Sequence, residues 1–179
     1  MAIEIQARIT VTEFDRFVEL PENSDKLYEF IGGEVVEVPS NMYVSNIAAR
    51  IIVLIGIYLM KNDIGHLTGE GGGYMVSGER YAPDVTFISY VKQPELARQG
   101  YNPTPPDLAV EVISNPDDPQ EQANLRIKLS SYLAAGVVVW IVDPDDHTVE
   151  IHQAGNKALS LKEDAIISGD DVLDHHISF

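Results

Sequence analysis

The spacing of apolar positions changes several times along the chain, and each change marks an element. Thr10 followed by Glu13 forms a capping-box pair that opens a short helix through Val18, and Pro21-Glu22-Asn23-Ser24 ends it. Residues 28–31 and 34–38 read as two strands around the turn pair Gly32-Gly33, with Glu29 and Glu34 alternating towards solvent. Pro39-Ser40-Asn41 punctuates the chain again. From 45 to 61 apolar residues fall on nearly every side; Ile47, Ile51, Leu54, Ile55 and Tyr58 keep helical spacing, and the length of the run favours a buried helix over a strand.

Further on, residues 66–76 predict one strand bulged by Gly69 and Gly71-Gly72-Gly73. This glycine run lacks the Lys-Ser/Thr of a phosphate-binding loop. Residues 80–90 predict a second strand, and the polar, proline-containing segment 92–106 a loop long enough to be a functional loop or a lid. A strand over 107–113, a helix over 120–135 ended by Gly136, and a continuous apolar strand over 137–142 follow. That last strand is apolar at every position, so it is buried on both faces and parallel to a neighbour. Residues 148–153 read as a returning edge strand, and 159–179 as one more short strand with a weakly amphipathic end. The middle of the chain therefore runs helix, strand, strand, strand, helix, strand, which is an α/β (α+β) arrangement with a mixed sheet. We expect a single domain over 1–179: a core at about 45–154, an added helix and hairpin at about 10–38, and a tail over 155–179.

Composition narrows the function. The chain has 179 residues, 45% hydrophobic and 22% charged, an ordinary globular balance. The absence of cysteine excludes disulfides and thiolate metal sites and fits a cytoplasmic setting. The most apolar stretch, 51–60, is about half of the ~20 residues that span a bilayer, and residues 1–8 lack a signal-peptide core, so no membrane role is expected. A net charge of -16 argues against nonspecific coating of nucleic acid, though not against a small basic groove. Arg50, Arg80, Arg98, Arg126 and Lys128 are the candidates for such a groove. The five histidines show no metal spacing apart from the adjacent pair His175-His176, and adjacent residues rarely converge on one ion, so surface histidines are expected; Trp140 is a core residue.

The chemistry concentrates in Pro83-Asp84 and in Pro106-Asp107 followed by Glu111. Asp107 and Glu111 share a strand face but lie ~13 Å apart along it, too far to share an ion. Asp84, on another strand, can approach Glu111, and paired carboxylates on adjacent strands make an all-oxygen site suited to Mg²⁺ or Mn²⁺. An acid inside Leu108-Ala109-Val110-Glu111-Val112-Ile113 calls for a partner, because charges are seldom buried without one.

Pro83-Asp84, the run from Pro106 to Ser114, Gly136-Val137 and Trp140 to Pro144 together resemble the restriction-endonuclease family catalogued as domain of unknown function 820. Tyr28-Glu29-Phe30-Ile31-Gly32-Gly33-Glu34 resembles its N-terminal signature, and the likeness covers residues 10–154. The resemblance implies the PD-(D/E)XK nuclease fold and a Mg²⁺-dependent (or Mn²⁺-dependent) endonuclease that hydrolyses DNA. DNA is then the partner, with a homodimer admitted. Asp84 and Glu111 would be metal ligands and catalytic, with the Val112 carbonyl beside them. The motif lysine two places after Glu111 is replaced by Ile113, and the resemblance moves its role to Lys128 on the following helix. Lys128 falls on the flank of the stripe Leu125, Leu129, Tyr132 and Leu133, either aimed at the sheet end or paired with Glu121. If Lys128 replaces the motif lysine, Lys128→Ala should abolish most cleavage while leaving metal affinity and folding nearly unchanged, because the carboxylates hold the ion and the ammonium acts only on transition-state charge. Ser45-Asn46 stand where many members carry a histidine. The competing reading is a catalytically inactive nucleic-acid- or protein-binding module on the same fold, which the negative charge favours; a third is hydrolysis of another phosphorylated substrate.

Overall fold

The structure is a computed structural model that describes residues 8–38, 41–162, 166–168 and 176–178. The Pro39-Ser40 part of the predicted turn and most of the predicted amphipathic tail lie outside the described residues. Helix α1 (Val11–Val18) starts at the Thr10 cap: the Thr10 side chain accepts from the Glu13 N–H, and Glu13 accepts from the Thr10 N–H at 2.7 Å. Its one buried residue, Phe14, packs against Phe30 at 5.4 Å between ring centroids. Strands β1 (Tyr28–Ile31) and β2 (Glu34–Glu37) form the expected hairpin, with Gly32 and Gly33 both at positive φ, as a two-residue turn of this hand requires.

Helix α2 (Met42–Leu59) is capped by the Asn41 side chain, which accepts from the N–H groups of Tyr43 and Val44. It starts three residues before the sequence expectation and runs through 18 residues, long and apolar enough to cross a membrane by length and composition. One face of it, Val44, Ala48, Ile51 and Ile55, is buried in the core.

Two predicted strands each prove to be two. The segment expected as one bulged strand is β3 (Gly65–Gly69) and β4 (Tyr74–Val76), and the next is β5 (Glu79–Tyr81) and β6 (Val85–Ser89). In each case the halves belong to different sheets. The glycines 71–73 carry the chain between sheets rather than forming a bulge, and Pro83, which has no N–H to give a ladder, interrupts the second segment.

The remaining elements are β7 (Leu108–Val112), α3 (Pro119–Ala134), β8 (Val138–Asp143), β9 (Thr148–His152), β10 (Leu159–Lys162), β11 (Ile166–Ser168) and β12 (His176–Ser178). The larger sheet has the order β10-β9-β8-β7-β6-β3, and its one parallel pair is β7 with β8, joined through α3. Because β10 pairs with β9, β9 is an inner strand and not the edge predicted for it. The smaller sheet runs β2-β1-β5-β4.

The two faces of the larger sheet bury different partners. Val85, Phe87, Leu108, Val110, Val112, Val138 and Trp140 pack under α2. Ala109, Val139, Ile141 and Ile88 pack with Tyr132 of α3 and with Ile31, Tyr74, Val76 and Tyr81 of the smaller sheet. Strand parity therefore aims position 111 at α3 and the smaller sheet.

The loop after β6 is anchored at its second half. Buried Asn102 exchanges backbone bonds with Gly73 and Met75 and side-chain bonds with Gln93, and the Tyr101 hydroxyl donates to the Tyr28 carbonyl.

Candidate active site

The site forms where β7, β6, β1 and α3 converge. Val85 pairs with Val110 and Thr86 with Ala109, so the register continued by one step sets Asp84 opposite Glu111. Directly opposed residues on one face have Cβ atoms ~4.5–5.5 Å apart. Asp84 Oδ2 accepts from the Val112 N–H at 2.7 Å. In a strand, one residue's N–H and C=O leave on the same side, so the Val112 carbonyl also emerges towards Asp84.

Glu111 is 8% exposed and Lys128 7%. Lys128 Nζ donates to Glu111 Oε2 at 2.6 Å and to Glu29 Oε1 at 2.8 Å. The Tyr132 hydroxyl donates to the other Glu111 oxygen at 2.8 Å, and the Ala82 N–H donates to Glu29 Oε1 at 2.8 Å. Lys128 also lies 5.7 Å from the centroid of the Tyr81 ring.

Helix α3 is oriented for this by its N-terminus. Asp118 caps it by accepting from the Gln120 N–H, Pro119 occupies the first turn, and Glu121 accepts from the N–H groups of Ser114 and Asn115. Glu121 thus binds the loop after β7, whereas Lys128 pairs with Glu111 and Glu29. Lys128 and Tyr132 are the buried residues of α3, so Lys128 occupies the centre of the buried face, not its flank.

Burial and charge set the protonation of the cluster. Burial pushes Asp84 up to about 6, against the pull of the Val112 amide and Lys128. Glu111 is also raised: burial dominates, the Lys128 charge offsets part of it, and Glu29 and Asp84 push further. For Lys128, burial pulls downward but the two carboxylates outweigh it and hold the ammonium charged. Three carboxylates facing one ammonium leave two negative charges uncompensated when all are ionised.

Glu29, Asp84, Glu111 and Lys128 line one cleft of about 370 Å³, in which Lys128 is the one cation among the described lining residues. Each Glu111 oxygen keeps a second lone-pair direction, and Asp84 Oδ1 lies outside the bond to Val112. Among the described residues no three His, Asp or Glu side chains gather into a ready metal cage. The donor set still fits Mg²⁺, which takes one or two carboxylates and completes its shell with water and phosphate.

Of the residues predicted from sequence, Asp84, Glu111, Val112 and Lys128 meet here. Ile113 lines the same cleft, and the ammonium reaches Glu111 from α3 instead of from position 113. Asp107 stands at the other end of β7, accepting from the Ser89 N–H and paired with Lys92 at 3.4 Å. Arg80 is buried in an ion pair with Asp15, and Arg126 lines a separate cleft beside β9, so neither serves the groove proposed for them. Arg50 and Arg98 are exposed and line neither cleft.

Sequence reading missed Glu29, expected to face solvent. All four residues of β1 are buried, so the criterion that singled out Glu111, an acid inside an apolar run, applied to Tyr28-Glu29-Phe30-Ile31 as well. Helical spacing puts Tyr132 in the core but carries no signal of its hydroxyl bond to Glu111.

No functionally curated protein matches this chain significantly. A crystal structure from Anabaena variabilis, described as a putative nuclease belonging to DUF820, shares the fold with a TM-score of 0.71. It is 22% identical and covers 89% of this chain and 88% of its own. The family model Uma2, described as "Putative restriction endonuclease", matches residues 14–178, and the chain belongs to that family.

Proposed function

We propose that the protein is a metal-dependent endonuclease that hydrolyses DNA phosphodiester bonds at the Asp84–Glu111–Lys128 cluster. The observation that carries this reading is the buried Lys128–Glu111 pair with Asp84 opposite it, on the wall of a cleft. Asp84 and Glu111, with the Val112 carbonyl, would hold Mg²⁺ or Mn²⁺. When bound, that ion supplies Lewis-acid polarisation of a phosphoryl oxygen and a more acidic water.

The chain's own part is electrostatic. Two of the three Lys128 N–H donors are engaged by Glu111 and Glu29, and the third remains for a phosphate oxygen or the attacking water. A fixed ammonium aimed at charge that grows in the transition state lowers the barrier without reorganising.

The test is incubation with Mg²⁺ or Mn²⁺ and supercoiled, linear duplex and single-stranded DNA, beside Asp84→Asn. Asn keeps an acceptor for the Val112 amide, so the variant should fold, lose cleavage and lose the thermal stabilisation that millimolar Mg²⁺ gives the parent. A parent that cuts none of these forms overturns the reading. The acidic lining of the cleft, Glu37, Asp118 and Glu121 included, repels a polyanion and favours a catalytically inactive protein-binding module as the second reading.

A further inference from the structure

The nuclease reading gives roles to three side chains of the cluster and leaves the fourth, Glu29, without one. Glu29 comes from the smaller sheet, is 7% exposed, and uses a single oxygen for both of its bonds. One bond holds Lys128. The other holds the Ala82 N–H, two residues before Asp84. A carboxylate at this depth is costly unless it is paired and hydrogen-bonded, and Glu29 is both.

We propose that Glu29 is a positioning residue, which fixes the Lys128 ammonium and the chain entering Asp84 in one frame; the inference rests on the nuclease reading above. Lysine carries its charge on a flexible four-carbon stem, and a contact with Glu111 alone leaves the ammonium free to swing about that contact. The second contact, from another sheet, removes that freedom. Because Glu29 also ties down Ala82, displacement of β1 would move Lys128 and Asp84 together. Reach matters more than charge in such a clamp, since one oxygen must span two donors on different elements.

Three substitutions separate reach from charge. Glu29→Gln keeps length and acceptor while removing charge; Glu29→Asp keeps charge but is one methylene short; Glu29→Ala removes both. Misplacement of a catalytic group by about 1 Å costs ~10² in rate. For variants shown to be folded by circular dichroism, kcat should fall ~10–100-fold in Ala and Asp with KM within about threefold, and Gln should recover most of the loss. A residue with a merely structural role would lower melting temperature without this split, and a purely electrostatic one would rank Asp above Gln.

A second readout is independent of activity. In ¹H–¹⁵N spectra of lysine ammonium groups, the Lys128 signal, assigned by its loss in Lys128→Arg, should exchange slowly in the parent and Glu29→Gln and broaden in Glu29→Asp and Glu29→Ala. Unchanged kcat in Glu29→Ala, Asp outperforming Gln, or an ammonium signal indifferent to all three overturns the proposal. A parent that cuts no DNA overturns the nuclease reading instead, and the ammonium spectra still decide whether Glu29 holds Lys128.

Discussion

Replacing Lys128 by Met removes the counter-charge of two buried carboxylates while keeping most of the side-chain volume. In the variant Glu111 retains only the Tyr132 hydroxyl and Glu29 only the Ala82 amide. Breaking a buried pair by removing one partner costs ~3–5 kcal/mol, because the remaining charge stays desolvated. A domain of this size loses ~2–4 °C per kcal/mol, so the melting temperature at pH 8 should fall by ~6–20 °C. This replaces the expectation from sequence that Lys128, acting only on transition-state charge, could be removed with little effect on folding.

The loss should also depend on pH, with a definite sign. Burial already raises Glu111 above the ordinary carboxylate range, and removing the ammonium raises it further. A carboxyl raised in the folded state takes up protons more readily there than in the unfolded chain. Its stabilising contribution is full below the unfolded value and disappears as pH rises through the folded one. The variant should therefore recover much of its deficit at pH 5. Adding Glu111→Gln and Glu29→Gln to it should restore stability at pH 8. Thermal melts of parent, single and triple variants at both pH values form the assay. A single variant as stable as the parent at pH 8, or a deficit equal at both values, would refute the buried-pair account.

Tyr132→Phe removes the donor to Glu111 Oε1 and should cost ~1–3 kcal/mol in urea unfolding, the penalty for a buried acceptor left unmatched. Gly65→Ala should cost ~1–3 kcal/mol by overpacking, as the added Cβ would lie 2.4 Å from the Ile88 carbonyl oxygen and 2.6 Å from the Phe87 ring; an unchanged melting temperature would mean that β3 yields there.

Elements whose signals are local were legible in the sequence. The Thr10/Glu13 box, the Gly32-Gly33 turn, the Gly136 helix end and the apolar run of β8 each depend on neighbours along the chain. Misread features depend on distant partners. Nothing local to 66–76 tells that its halves belong to different sheets, and β9 looked like an edge because β10 follows a separate loop. In the cluster, Asp84 and Glu111 were found through their setting in strands. Glu29 was missed because alternation in a hairpin predicts a solvated face, whereas α3 and the larger sheet cover that face of β1. Helical spacing placed Lys128 on α3 but could not tell flank from centre, since that depends on where β1 lies.

The links that assemble the cluster reach far along the chain: Glu29 and Lys128 are 99 positions apart, Asp84 and Val112 are 28 apart, and Glu111 and Lys128 are 17 apart. At ~5–20 residues per second, a ribosome needs ~5–20 s to proceed from the first member to the last. Through that interval the nascent chain holds carboxylates without their ammonium. A chain cut short before α3 stays in that condition permanently. Assembly of the charge cluster is therefore a late event in biosynthesis, and a fragment that ends before α3 lacks its ammonium.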